Sequence, residues 1–195
     1  MSKIIPRWEW RTFGTRFGIS EEKIQNHKLG NFKRSTEKYI LSRNSDENCK
    51  IRDDLMDIKS LQQVNDDKLE QWIPTMKETF PISRQTVEIL FRDYFKAALP
   101  ELKREEYTYA QYLDEVVAPC PDLEIVDVQK ERSIYVINLA IVEIAETTFN
   151  GVPSRTICVE HEDPQNVINT VRQLSLDGFE NINYIKAMKK AVGME

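Results

Sequence analysis

Alternation of apolar and polar positions dominates both ends of the chain, and a helical spacing dominates its middle. Ile4 to Phe13 sets Trp8 and Trp10 on one face and Arg7, Glu9 and Arg11 on the other, which predicts a strand. Gly14 and Gly18 flank a break, and Ser20 with Glu22 and Lys23 opens a short helix. Extended stretches follow at Glu37–Arg43, Cys49–Arg52 and Leu55–Leu61, with Asn44–Asn48 and Asp53–Asp54 read as the turns between them. Asp66–Met76 carries Leu69, Trp72, Ile73 and Met76 at helical spacing, and Pro74 must kink or end that helix. Ser83 caps an amphipathic helix bearing Val87, Leu90, Phe91, Tyr94 and Phe95. Thr108–Val117 predicts another helix before Pro119-Cys120-Pro121. Strand signals return from Leu123 to Val136 and from Leu139 to Phe149. Asn150-Gly151 marks a hairpin, and Val152-Pro153 argues for a loop longer than two residues. A last strand at Arg155–Glu162 leads into helices at Gln165–Leu174 and about Asn183–Ala191. Strands at both ends with helices between and after them predict an α+β, mostly antiparallel fold, expected as a single domain over residues 1–195.

Composition narrows the function classes. With 41% hydrophobic and 30% charged residues, the 195-residue chain reads as a soluble globular protein. No apolar run approaches the roughly 18 residues of a membrane span, so no membrane partner is expected. Met1 to Arg11 carries no apolar signal region, which leads to the expectation of a cytoplasmic protein. The net charge of −5 argues against general nucleic-acid binding and leaves room for a local basic pocket. Cys49, Cys120 and Cys158 read as isolated thiols of a reducing compartment. With His27 and His161 as the sole histidines, a Cys/His zinc set is not supported, so any metal is a hard cation held by carboxylates. There is no glycine-rich phosphate loop.

The polar faces of the strands repeat one composition. Arg7, Glu9 and Arg11 share a side, as do Lys50 with Arg52, Asp57 with Lys59, and Lys130 with Arg132. Glu160 and Glu162 sit with Thr156 and Cys158, and Glu143 sits with Ala145. An i, i+2 spacing aims both members of each pair at one space. These faces fit the solvent side of a sandwich, where charges guard edges. They fit equally a sheet closed into a barrel, with the seven cations and five carboxylates lining its interior. The barrel would require an anion of several charges, and a carboxylate cluster beside it would take Mg2+ or Mn2+. His161 falls on the face opposite Glu160 and Glu162, Cys158 has no partner for nucleophilic chemistry, and Trp8 and Trp10 read as packing residues.

In their order and spacing these motifs resemble the CYTH superfamily, also called triphosphate tunnel metalloenzymes. The likeness runs from Arg7-Trp8-Glu9-Trp10-Arg11 through Lys50-Ile51-Arg52, Leu55-Met56-Asp57-Ile58-Lys59 and Lys130-Glu131-Arg132. It continues through Val142-Glu143-Ile144-Ala145-Glu146 and Val159-Glu160-His161-Glu162 to a closing helix at Asn181–Met188. The resemblance implies an antiparallel eight-stranded β-barrel, or tunnel, with helices outside. It implies that Arg11, Lys50, Arg52, Lys59, Lys130 and Arg132 hold the phosphates of a triphosphate, polyphosphate or nucleoside triphosphate. Glu9, Glu143, Glu160 and Glu162 would carry Mg2+ or Mn2+ for hydrolysis. The family's first strand reads E-x-E-x-K; here Arg7 replaces the first Glu and Arg11 the Lys. Arg11 is an able phosphate ligand. Arg7 removes a carboxylate of the metal site, and so raises the alternative of a non-catalytic polyphosphate or nucleotide sensor.

Overall fold

The computed structural model describes residues 5–194. β1 (Trp8–Gly14), β2 (Asn31–Ser42), β3 (Ser45–Arg52), β4 (Leu55–Val64) and β5 (Glu70–Thr79) precede a helical middle, with α1 (Ile19–Gln25) after the first strand. That middle contains the short pair β6 (Ile82–Ser83) and β7 (Glu106–Tyr107), α2 (Arg84–Ile89) and α3 (Tyr109–Gln111). Each of its two helices runs on into a wider π turn, over Leu90–Phe95 and Tyr112–Val117. β8 (Leu123–Ile137), β9 (Ala140–Phe149), β10 (Val152–His161), α4 (Pro164–Gln173) and α5 (Tyr184–Val192) complete the order. Eight strands close into one antiparallel barrel in the order β1-β10-β9-β8-β2-β3-β4-β5. Closure leaves no free edge, so the charged faces are the wall of an interior rather than the outside of a sandwich.

Each strand's inner face changes character along its length. At one end it is apolar, with Phe13, Tyr39, Leu41, Val126, Val128 and Phe149, and α5 packs Tyr184, Ile185 and Met188 into this group. Further along the same faces come Arg11, Glu37, Lys130, Arg132 and Glu143, held in register by the ladders between β2, β8, β9, β10 and β1. The barrel is therefore a cup with an apolar floor and charged walls. Its outer faces are covered twice. Cys49, Ile51, Met56 and Ile58 lie under α2, α3 and their π turns. Trp10, Val142, Ile157 and Val159 lie under α1 and α4. Helix caps follow the side chains that can form them: Ser83 Oγ accepts from Thr86 N–H, Thr108 and Gln111 form a capping box, and the Asn183 side chain accepts from Lys186 N–H.

Three expectations need correction. Asp66–Met76 is not a helix, because Glu70–Thr79 is β5. Pairing passes from Ile58↔Met76 to Lys59↔Pro74, so Thr75 is an extra residue in the strand. That bulge changes which face follows it, and the resulting apolar positions mimic a helical period. The polar residues Ser45–Asn48 are strand rather than turn, their hairpin being closed by Ser42↔Ser45. The loop at Asn150-Gly151 is two residues long, since Phe149 pairs with Val152, and both turn residues have positive φ (50° and 80°). Pro153 is tolerated because the β1 ladder stops at Arg155, so no strand awaits its missing N–H. β1 begins at Trp8, and Ile4 lies outside the described residues. No helix among the described residues is long and apolar enough to cross a membrane.

Candidate functional site

The charged walls enclose a cavity of about 150 Å3 lined by Arg11, Lys50, Lys59, Lys130 and Arg132 together with Glu9, Glu143 and Glu160. Asn48, Trp72, Asn183 and Tyr184 complete most of the lining. It lies beside a wider mouth of about 440 Å3, which shares Glu9, Lys50, Lys59, Trp72 and Glu160 and adds Arg7, Asp57, Pro74 and Lys77.

At the floor, Lys130 is 7% exposed and Glu37 is 2% exposed. Lys130 Nζ lies 2.9 Å from Glu37 Oε2 and donates to Tyr39 Oη at 2.8 Å, and that hydroxyl in turn donates to Glu37 at 3.2 Å. The ammonium also sits 4.1 Å from the centroid of the Tyr184 ring and 4.9 Å from that of Tyr39. Burial pushes the Lys130 ammonium down to about 8, against the pull of Glu37. Burial works to raise the Glu37 carboxyl, but the charge and hydrogen bond of Lys130 bring it down to about 2. Nearby, the Arg11 guanidinium donates from Nε to Glu9 at 2.7 Å, lies 3.5 Å from Glu143, and packs 4.8 Å from the centroid of the Tyr184 ring.

Higher in the wall the contacts loosen. Arg132 reaches Glu143 only at 4.0 Å, and Lys50 lies 3.5 Å from Asp57. Among the described residues, Arg132 Nε and Asp57 Oδ1 are buried without a hydrogen-bond partner. Buried polar atoms without partners are costly unless a ligand or water serves them. At the rim Arg7 lies 3.8 Å from Glu160.

The acidic corner is built across the β1–β10 ladder, where Glu9 pairs with Glu160 and Arg11 with Cys158. Ligand atoms of Glu9, Cys158 and Glu160 lie within 4.8 Å of one another. Burial and then the neighbouring Glu9 charge raise the Glu160 carboxyl, with Arg11 opposing them. Two crowded carboxylates of this kind suit a hard divalent cation, which relieves their repulsion. Burial holds the Cys158 thiol well above its ordinary value, so it stays protonated and donates to Glu160 at 3.5 Å.

Of the residues singled out in the sequence, Arg11, Lys50, Lys59, Lys130, Arg132, Glu9, Glu143 and Glu160 meet in this one cavity. Arg52 does not line it. It stands at the wall's edge with a side chain 43% exposed, 3.4 Å from Glu37 and 3.7 Å from Asp53. Glu162 lies beyond the end of β10, exposed and outside the acidic corner, which corrects its grouping with Glu160. Sequence reasoning missed Glu37, Glu70, Trp72, Asn183 and Tyr184. Glu37 was legible in principle, as an acid two residues before Tyr39 on an alternating strand. The others needed β5 and α5 to be in place. Glu37 and Glu70 also change the electrostatics. Eight inward cations (Arg7, Arg11, Lys50, Arg52, Lys59, Lys77, Lys130, Arg132) face Glu9, Glu37, Asp57, Glu70, Glu143 and Glu160, so the wall's own acids offset most of its positive charge.

No family model and no curated protein sequence matches the chain. Among solved structures it is similar to HpAC1 from Hippeastrum, described as a candidate adenylyl cyclase with a dominant triphosphatase activity. That likeness has a TM-score of 0.50 at 10% identity and covers 95% of this chain and 96% of that one. A candidate adenylate cyclase from Bacillus halodurans aligns with a TM-score of 0.49 at 13% identity, over 92% of this chain and 95% of its own. A Pyrococcus horikoshii protein aligns with a TM-score of 0.49 at 14% identity, over 92% of this chain and 98% of its own. At such identities the Hippeastrum likeness establishes the fold and nothing finer.

Proposed function

Starting from a chain with the CYTH-type tunnel fold, we propose that it binds a triphosphate or polyphosphate-containing anion in the cup and hydrolyses it with Mg2+ or Mn2+. The whole of residues 1–195 acts as one unit in this reading. The observation that carries it is the cavity in which five cations meet three carboxylates, with a guanidinium nitrogen left unpartnered in its wall. Arg11, Lys50, Lys59 and Arg132 hold phosphate oxygens and offset charge developing on the transferred group. Lys130, already satisfied by Glu37, contributes positive field from the floor rather than a free ligand. Glu9 and Glu160 hold the divalent ion, with Glu143 beside them. A bound dication supplies Lewis-acid polarisation and charge neutralisation. Because the wall's own acids offset most of its cations, the metal also restores the positive excess that a polyanion needs.

A second reading is favoured by one contact. Arg7 lies 3.8 Å from Glu160 and supplies part of the charge a metal would bring, as suits a sensor that binds without turnover. One experiment separates the two. Phosphate release is measured from inorganic triphosphate, long-chain polyphosphate, thiamine triphosphate and nucleoside triphosphates, each with Mg2+ or Mn2+. The enzyme reading expects release that Glu160→Gln abolishes, while metal-free triphosphate binding by thermal shift is kept or strengthened. Stabilisation by the ligand follows RT ln(1 + [L]/Kd). Binding without turnover under any metal selects the sensor, and hydrolysis surviving Glu9→Gln with Glu160→Gln refutes the metal assignment.

A further inference from the structure

The apolar floor has a second side. Phe13, Phe149 and Tyr184 form its aromatic layer, with the Phe13 ring edge-on to Tyr184 at 4.9 Å and 5.9 Å from Phe149. Tyr184 lines the charged cavity. Phe13 and Phe149 line instead a separate pocket of about 320 Å3, which shares no lining residue with that cavity.

The pocket exists because one strand stops short. β1 ends at Gly14, opposite Arg155, so Val152–Ser154 at the start of β10 has no strand on that side. α5 crosses beyond the gap and turns Ala187 and Ala191, four residues apart on one face, toward it. Methyl groups on that face leave a volume that larger side chains would fill. The same helix drives Ile185 and Met188 into the floor from another face.

Inside, the lining is apolar: Phe149 is 4% and Ala187 8% exposed, while Val152 stands 65% exposed at the entrance. The rim carries one cation, Lys190 from the last turn of α5, and one anion, Glu180 from the loop before that helix. Neither forms an ion pair among the described residues, although Lys189, next along the helix, is held 2.6 Å from Asp46. The volume lies within the roughly 300–1,000 Å3 of ligand pockets, whose usual make-up is an apolar interior with a few polar groups that fix orientation.

The charges at the rim decide the occupant. A fatty acid would meet Lys190 and be repelled by Glu180, and an alkylamine would do the reverse. A ligand with one charge of each sign satisfies both. We infer that this pocket binds a free α-amino acid with a large apolar side chain, the side chain against Phe13 and Phe149, the carboxylate on Lys190 and the ammonium on Glu180. The site stands apart from the triphosphate reading and survives its failure.

The test titrates phenylalanine, phenylpropanoate (no ammonium) and phenylethylamine (no carboxylate) into the intact, isotope-labelled chain and follows amide chemical shifts. Phenylalanine should shift the amides of Val152, Ala187 and Ala191. It should bind about threefold or more tighter than either analogue, the gain expected of an exposed ion pair. Lys190→Gln weakens phenylalanine and phenylpropanoate by that factor and leaves phenylethylamine unchanged. Glu180→Gln weakens phenylalanine and phenylethylamine and leaves phenylpropanoate unchanged. Ala191→Phe, at an exposed position, fills the pocket and abolishes binding of all three while the melting temperature is kept. Either analogue binding as tightly as phenylalanine overturns the amino-acid assignment. No shift at these amides with any of the three, or binding that survives Ala191→Phe, overturns the site itself.

Discussion

Replacing Glu37 with Gln tests the floor of the cup most directly. Glu37 is 2% exposed and holds Lys130, itself 7% exposed, at 2.9 Å. Its carboxyl lies at about 2 in the folded state instead of the ordinary 4.5. That gap is equivalent to about 3 kcal/mol of folding stability at neutral pH. Breaking a buried pair by removing one partner costs about 3–5 kcal/mol, in the same range. Lys130 limits the loss, because it can surrender its proton instead of remaining an uncompensated buried cation. Urea unfolding of the parent and Glu37→Gln at pH 7 should therefore differ by about 3 kcal/mol. The pH dependence has a definite sign. A carboxyl depressed in the folded state contributes fully above its unfolded value of 4.5, and that contribution fades as pH falls toward 2. By pH 3 the difference between the proteins should shrink to under about half. On the alkaline side Lys130 sits at about 8 in the fold against 10.5 ordinarily, so the unfolded chain holds the extra proton between those values. Through that window stability associated with Lys130 rises with pH in both proteins, because Lys130 without Glu37 is depressed further still, so the difference between parent and variant should stay level there. A loss under about 1 kcal/mol at pH 7, or a loss identical at pH 3 and pH 7, would show that the pair does not hold the floor.

Two further substitutions probe how α5 closes the cup. Tyr184 Oη is buried without a hydrogen-bond partner among the described residues, so Tyr184→Phe should leave the urea midpoint nearly unchanged or raise it slightly. Tyr184→Ala removes the ring packed against Lys130, Arg11 and Phe13 and should cost about 3–5 kcal/mol by the same assay. A large loss in the Phe variant would mean that the hydroxyl has a partner after all. Asn183→Ala loses the α5 cap and both contacts to Glu70, for an expected cost of about 2 kcal/mol in thermal unfolding; a cost near zero would remove Asn183 as the anchor of Glu70.

What could be read from the sequence alone was whatever depends on the nearest few residues. The i, i+2 pairs Glu9–Arg11, Lys50–Arg52 and Lys130–Arg132 were legible because a strand's two-residue period is a property of its own backbone. Ser83 and Thr108 announced helix starts because a cap is made within one turn. Asp66–Met76 misled for a local reason too, since one extra residue at Thr75 turned strand alternation into an apparent helical spacing. Which charges share one space could not be decided locally. Glu160 meets Glu9 through a ladder spanning 151 positions of sequence, while Glu162, only two residues on, falls past the strand's end and faces out. Glu37 became the partner of Lys130 only when β2 was registered against β8. Arg52 left the cavity because β3 ends with it at the wall's edge. The apolar floor required α5 to return across the barrel from the far end of the chain and fill it with Tyr184, Ile185 and Met188. Closure, register and the plug are long-range choices, settled by burying apolar surface over the whole barrel at once, and no short stretch of the chain contains that sum.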